Sequence, residues 1–181
     1  DHTTLGDHPQ AKPVFDLDSV QLIRVAKGLT EGVDMAGEEL DGDAPDFCPG
    51  CVVNPNADPL EPQLLKLQKK IDAGAEFIQT QAVYDVDVFN DFMDQAGDLG
   101  VPVLAGIVML KSAGMAKFMN RFVAGVNVPD DLVARMDEAE DNVQTSVEIT
   151  CELVDGLKER AQGIHMMPLG WNKHVVTVFE E

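Results

Sequence analysis

Residues 73–85 read AGAEFIQTQAVYD. Two glutamines, Gln79 and Gln81, flank a threonine inside a stretch made apolar by Phe77, Ile78, Ala82 and Val83. A primary amide brings two N–H donors and an acceptor oxygen. Left unmet in a buried setting, such a group costs about 1–3 kcal/mol. Side chains alternate along a strand with period two, so both amides fall on one face. Gln81 lies nearer the C-terminal end and is the candidate for contact with a ligand. Gln79 is expected to be satisfied by neighbours inside the fold.

Other residues could carry chemistry. Cys48 and Cys51 form C-P-G-C, a spacing that suits a metal or a thiol redox pair. A structural zinc site needs four ligands, and neither a second CxxC nor a nearby histidine completes one. The expectation is therefore no metal and plain buried thiols. Three cysteines make no disulfide framework, which fits a cytoplasmic setting. Lys66, Lys69 and Lys70 form a basic cluster that, taken alone, reads as a solvated helix face. Met109, Met115, Met119, Met166 and Met167 read as adaptable core.

Net charge is −19, from 32 acidic and 13 basic residues. Such a surface repels phosphate backbones and anionic lipid, which argues against nucleic-acid or membrane partners. The acid is densest in EELDGDAPD and DEAEDN and reads as solvated surface. The polar start, DHTTLGDHPQ, has no initiator Met and no signal-peptide pattern.

These residues must be positioned by alternating strands and helices. A helix from Asp18 puts Val20, Leu22, Ile23, Ala26 and Leu29 on one side. FCPGCVVN, EFIQTQAVY, VPVLAGIVML and GIHMMPLG read as strands. PLEPQLLKLQKKIDAGA, with Leu64, Leu67 and Ile71 inward, and VDVFNDFMDQAGDLG read as helices. KSAGMAKFMNRFVAG is a helix stopped by Gly125; VPDDLVARMDEAED, TSVEITCELVDGLKERAQG and WNKHVVTVFEE are three more. The pattern is α/β, four complete βα units with parallel strands, preceded by TTLGD as the end of a fifth strand. A single domain, 1–181, accommodates it. Ligands of such sheets bind at the C-terminal strand ends, here LGDH, CVVNPN, QTQAVYD, GIVMLKS and MPLGWN.

In that order, those ends resemble methylenetetrahydrofolate reductase, a flavin-dependent (β/α)8 barrel of the TIM type. Gly6-Asp7 is similar to the Gly-Asp closing the family's fourth strand. N-P-N-A-D-P, residues 54–59, is similar to its Pro-x-x-His-Pro segment. Leu67 to Gln81 resembles its most recognisable stretch, while Gly106 to Ser112 and Gly163 to Trp171 resemble the ends of strands seven and eight. The resemblance implies that the chain is roughly the C-terminal half of the barrel, from the end of strand 4 to strand 8. FDLDSVQLI, NPNADPLEP and LKSAGMAKFMN resemble the acetogen-type branch and reductases fused to homocysteine methyltransferases. Other branches carry Tyr at the position of Asn54 and His at that of Asp58. A folate-contacting Gln of some members is Met115 here.

Carried over residue by residue, the resemblance implies that Gly6 and Asp7 meet the flavin ring. Asn54 and Asp58 would contact the cofactor, and Lys69 and Lys70 its ribose and phosphates. Gln81 would hydrogen-bond the pterin of the folate, and Trp171 would line the site beside the eighth strand. The implied cofactor is FAD, with FMN as the alternative, reduced by NAD(P)H or another electron donor. The implied reaction reduces 5,10-methylenetetrahydrofolate to 5-methyltetrahydrofolate, in one-carbon and methionine metabolism. The family's general acid is a Glu on the first strand, so no catalytic residue is assigned here and the isolated chain is expected to be inactive. A homo-oligomer is expected when intact, with a partner redox subunit as a further expectation. The alternative is a non-catalytic half-barrel subunit completing its barrel within a multisubunit redox assembly.

Overall fold

The computed structural model describes residues 8, 10–13 and 15–180. Strands β1 (Gly50–Val53), β2 (Phe77–Ala82), β3 (Val103–Val108) and β4 (Gly163–Met167) form one parallel sheet in the order β1-β2-β3-β4. Helix α1 (Ser19–Thr30) precedes β1, α2 (Glu61–Asp72) joins β1 to β2, and α3 (Val86–Ala96) joins β2 to β3. Three helices, α4 (Ala113–Phe122), α5 (Asp130–Asp137) and α6 (Asn142–Leu157), connect β3 to β4, and α7 (Asn172–Glu180) follows.

Helix starts are written in the sequence. Asp18 and Gln21 form a reciprocal capping box, each side chain accepting from the other's backbone N–H at 2.8 Å. Asp85, Ser112 and Asp141 cap α3, α4 and α6 through side-chain oxygens. Pro62 stands in the first turn of α2, where its missing N–H costs nothing.

Because sequential strands are spatial neighbours without reversal, every crossover turns the same way. Right-handed crossovers then place all connecting helices on one face of the sheet. The strands record this asymmetry. In β2, Ile78, Thr80 and Ala82 are buried, while Phe77, Gln79 and Gln81 are half-buried. In β1, Cys51 and Val53 are buried and Val52 is 55% exposed. The core under the helices includes Leu67, Ile78, Phe89, Phe92, Ile107 and Leu157. Burying each such side chain contributes about 1.5–3 kcal/mol. The opposite face is open, as in a set of barrel staves seen from inside: a partial α/β barrel.

Two sequence expectations change. Leu22, placed on the inner side of α1, is 58% exposed, and only Ile23 of that helix is fully buried. Helix α1 lies beside edge strand β1, so its apolar stripe has less sheet to cover. Helix α4 ends at Phe122, not at Gly125. Gly125 has a different task, described below. The strand expected in TTLGD lies outside the described residues.

Between Gln79 and Ala82 the β2–β3 register slips: Gln79 pairs with Leu104, but Ala82 pairs with Gly106. The hydroxyl of Thr80 fills the gap, accepting the Gly106 N–H at 2.9 Å and donating to the Gln81 carbonyl at 2.8 Å. That is why a threonine stands between the glutamines. A Cβ on Gly106 would come within 2.5 Å of the Thr80 carbonyl oxygen, so the bulge closes only over a glycine.

Candidate functional site

Gln81 sits on the open face near the C-terminal end of β2. Its Nε2 donates to the carbonyl of Ala124 at 3.1 Å, and its Oε1 accepts from the Ala82 N–H at 3.3 Å. Ala124 belongs to the segment that returns over the sheet end after α4. Asn56, in the loop after β1, holds that segment from the other side. Its Nδ2 donates to the carbonyls of Gly125 at 3.0 Å and Ala82 at 3.3 Å. Asn54 orients Asn56, its Oδ1 accepting the Asn56 N–H at 3.1 Å. Gly125 has φ +81°, and a Cβ there would meet Asn54 Nδ2 at 2.6 Å. Asn120 anchors the far end, accepting from the Val128 N–H at 2.7 Å and donating to its carbonyl at 2.8 Å.

The two glutamine amides differ in their protein partners. Gln81, expected to contact a ligand, has two protein partners and keeps one N–H and one oxygen lone pair. Gln79, expected to be satisfied internally, has no partner for its side-chain amide among the described residues and lines the groove along β1.

That groove is a cavity of about 350 Å³ between α1 and the open face, lined by Leu22, Cys51, Val52, Lys70, Phe77 and Gln79. Lys70 reaches into it from the last turn of α2 and donates to the Val52 carbonyl at 2.5 Å. Pro49 O accepts from Glu76 N, so by strand alternation Val52 presents its backbone to the free side of β1. Among the described residues no strand pairs with that edge, and the lysine covers it, a common device for blunting one. Burial lowers its pKa, because the charged amine is partly desolvated. No carboxylate lies within ion-pair distance of it among the described residues. A half-buried cation without a counter-ion among the described residues can take an anionic ligand.

The remaining sequence candidates do not gather around it. Asp58 is exposed and lines a separate groove with Pro55, Leu60, Val88 and Phe92. Lys69 is exposed beside Lys70. Helix α2 rises about 18 Å over its length, which separates the lysines from the loop carrying Asn54 and Asp58. Gly6 and Asp7 lie outside the described residues. Trp171 is half-buried after β4, with the Lys111 amine 5.5 Å from its ring and the His174 ring at 5.5 Å. Lys111 also donates to the Leu169 carbonyl.

The cysteine expectation is also corrected. Cys48 is exposed in the approach to β1, whereas Cys51 is buried within it and its thiol is pushed up by burial. Among the described residues, no group of three His, Cys, Asp or Glu side chains could hold a metal ion. None of the described helices is long and apolar enough to cross a membrane.

The roles of Asn56, Asn120 and Gly125 escaped the sequence reading, which took Gly125 only as a helix stop. The signal was present in Gly125, a glycine too far past the helix end to cap it. The Asn-Pro-Asn run likewise offered two side-chain amides where a turn needs at most one.

The sequence profile of methylenetetrahydrofolate reductase matches residues 5–181. Methylenetetrahydrofolate reductase (NADH) 1 of Zea mays is 30% identical over 151 residues, covering 76% of this chain and 24% of the relative. Methylenetetrahydrofolate reductase 2 of Schizosaccharomyces pombe is 28% identical over 158 residues, covering 74% and 24%. The chain thus spans about a quarter of the length of these curated relatives. Among solved structures, a Clostridium thermocellum protein described as binding two copies of 5-methyl-5,6,7,8-tetrahydrofolic acid superposes with TM-score 0.54. It is 22% identical, and the match covers 76% of this chain and 53% of that one, a likeness of fold. The chain belongs to the methylenetetrahydrofolate reductase family.

Proposed function

We propose that the polypeptide carrying this chain reduces 5,10-methylenetetrahydrofolate to 5-methyltetrahydrofolate with a bound flavin, FAD in the first instance. The observation that carries this reading is the open sheet face of a family member. It sets the amide of Gln79 in a groove beside a cation without a counter-ion among the described residues, with Gln81 two residues further along the same strand face.

Flavin, when bound, supplies the hydride that converts the substrate's methylene carbon into a methyl group, and is itself reduced again by NAD(P)H or another donor. This chain's own residues bind and orient. Lys70 would hold a phosphate oxygen of the cofactor in place of the Val52 carbonyl, since phosphate is a stronger acceptor for a charged amine. Gln81, held by Ala124, keeps one N–H and one oxygen lone pair for the pterin edge. Gln79 is the nearest further amide on that face. Phe77 and Val52 supply apolar floor that excludes water from the groove.

No group in the described residues is assigned the proton that opens the substrate's five-membered ring. The four strands also leave the sheet open on one face, so in this reading the chain by itself does not turn over. A cytoplasmic setting belongs to the same reading.

The test is a paired binding measurement on the full polypeptide that carries residues 1–181. It should purify with flavin, and 5-methyltetrahydrofolate should perturb the flavin spectrum with a saturable dependence. A flavin-free protein, or flavin blind to folate, contradicts the reading.

A further inference from the structure

We propose that Asn56 and the Val123–Val126 segment are the positioning device for Gln81, deciding which end of its amide faces the ligand. The proposal rests on the folate reading of the open face, and the experiment below separates the two.

A glutamine amide on an open face is free to flip, since its two ends are nearly the same shape. Here the flip is forbidden electrostatically. The Ala124 carbonyl meets Nε2 at 3.1 Å and the Ala82 N–H meets Oε1 at 3.3 Å. Turning the amide over would set oxygen against carbonyl oxygen on one side and N–H against N–H on the other. Both existing bonds would become repulsions.

The discrimination works only if Ala124 stays in place, and three side chains hold it there. Asn56 spans Ala82 and Gly125, tying the returning segment directly to the strand end that carries Gln81. Asn54 packs against the bare α-carbon of Gly125, a place a methyl group could enter only by displacing the Asn54 amide. Asn120 clamps Val128 in both directions. None of these amides is needed for the sheet. Together they place one carbonyl oxygen over one glutamine, 43 residues earlier in the chain. The consequence is specificity: Gln81 offers an adjacent donor and acceptor in one fixed order. Ligands presenting the complementary order along a ring edge are accepted, and those with the order reversed are refused.

The experiment is a double-mutant cycle on the full polypeptide, using Asn56→Ala and Gln81→Ala, with 5-methyltetrahydrofolate as the probe. Each single substitution should weaken folate binding about tenfold, the scale of one lost oriented hydrogen bond, and leave flavin content unchanged. The double variant should bind no worse than Gln81→Ala, because an unpositioned amide has nothing left to lose. Gly125→Ala disturbs the same segment from the other side, should reproduce Asn56→Ala, and serves in its place should that variant fail to fold. In the unmutated protein, the Gln81 side-chain amide protons should show one protected signal by NMR, lost in either loop variant.

Additive losses in the cycle, or an Asn56→Ala protein with unchanged folate affinity, would overturn the positioning proposal while folate binding stands. Absence of folate binding by the unmutated polypeptide would overturn the functional reading itself, and this proposal with it.

Discussion

Gln81 donates its side-chain amide to the main-chain carbonyl of Ala124 at 3.1 Å. The two residues come from different βα units, and the contact ties the end of β2 to the segment that follows α4. It settles why an amide can stand on the half-open face of an apolar strand. Its oxygen and one N–H are met by the protein, and the remainder looks out of the open face.

Removing that amide should separate the two ligands of the proposed reaction. Gln81→Ala should raise the dissociation constant for 5-methyltetrahydrofolate by about tenfold, corresponding to about 1.4 kcal/mol. Flavin content should stay near that of the unmutated polypeptide, as measured by absorbance after gel filtration. Loss of flavin with normal folate affinity would assign Gln81 to the cofactor instead.

Lys70 gives the opposite pattern. Its partly desolvated amine has a carbonyl partner and no counter-ion among the described residues, so Lys70→Met keeps the apolar stem and deletes only the charge. The variant should fold with unchanged stability in urea, yet retain much less flavin. The loss should be steeper in high salt for the unmutated protein than for the variant, because only the former depends on charge attraction. Equal flavin retention would leave Lys70 as an edge cover alone.

Glycines on β3 and α4 provide a paired stability test. Gly106→Ala drives a methyl group into the Thr80 carbonyl and should destabilise by about 1–3 kcal/mol. Gly114→Ala, whose Cβ meets nothing closer than Ser112 Oγ at 3.7 Å, should stabilise α4 by about 0.5–1 kcal/mol. Urea unfolding of both variants decides. Similar effects of the two would mean that the bulge does not depend on a glycine.

The Arg135–Glu152 pair predicts a pH signature. Its two bonds, at 2.6 and 2.8 Å, lower the glutamate below its ordinary 4.5. A depressed carboxylate contributes stability that is present above pH 4.5 and is lost as pH falls through the lowered value. The pair is largely solvent-exposed, so Glu152→Gln should cost about 0.2–1 kcal/mol at neutral pH. The difference from the unmutated protein should shrink on acidification and disappear once the carboxyl is protonated. A constant difference down to low pH would locate the effect elsewhere.

Most of the fold could be read along the chain because its signals are local. Apolar runs such as VPVLAGIVML, helix caps at Asp18, Asp85 and Asp141, and the stripe through Leu67 each depend on a few adjacent residues. Leu22 was misplaced for a reason periodicity cannot carry: the stripe marks a face, not how much sheet lies beneath it. The site was legible only in outline. Resemblance pointed to Gln81 and Lys70, and both stand on or beside the open face. The hydrogen bonds that govern them come from Ala124 and Val52, backbone groups whose identity leaves no mark in a sequence. Asn56 and Gly125 matter through contacts spanning 26 and 69 residues for Asn56 alone, beyond any spacing rule.

The most direct measurement is a single-turnover reaction with the full polypeptide. Its flavin is reduced in the absence of oxygen and mixed with 5,10-methylenetetrahydrofolate. Flavin re-oxidation should follow substrate concentration, 5-methyltetrahydrofolate should appear in equal amount, and Gln81→Ala should demand more substrate for the same rate. Flavin that stays reduced in the presence of bound folate, with no methyl product, would contradict the account.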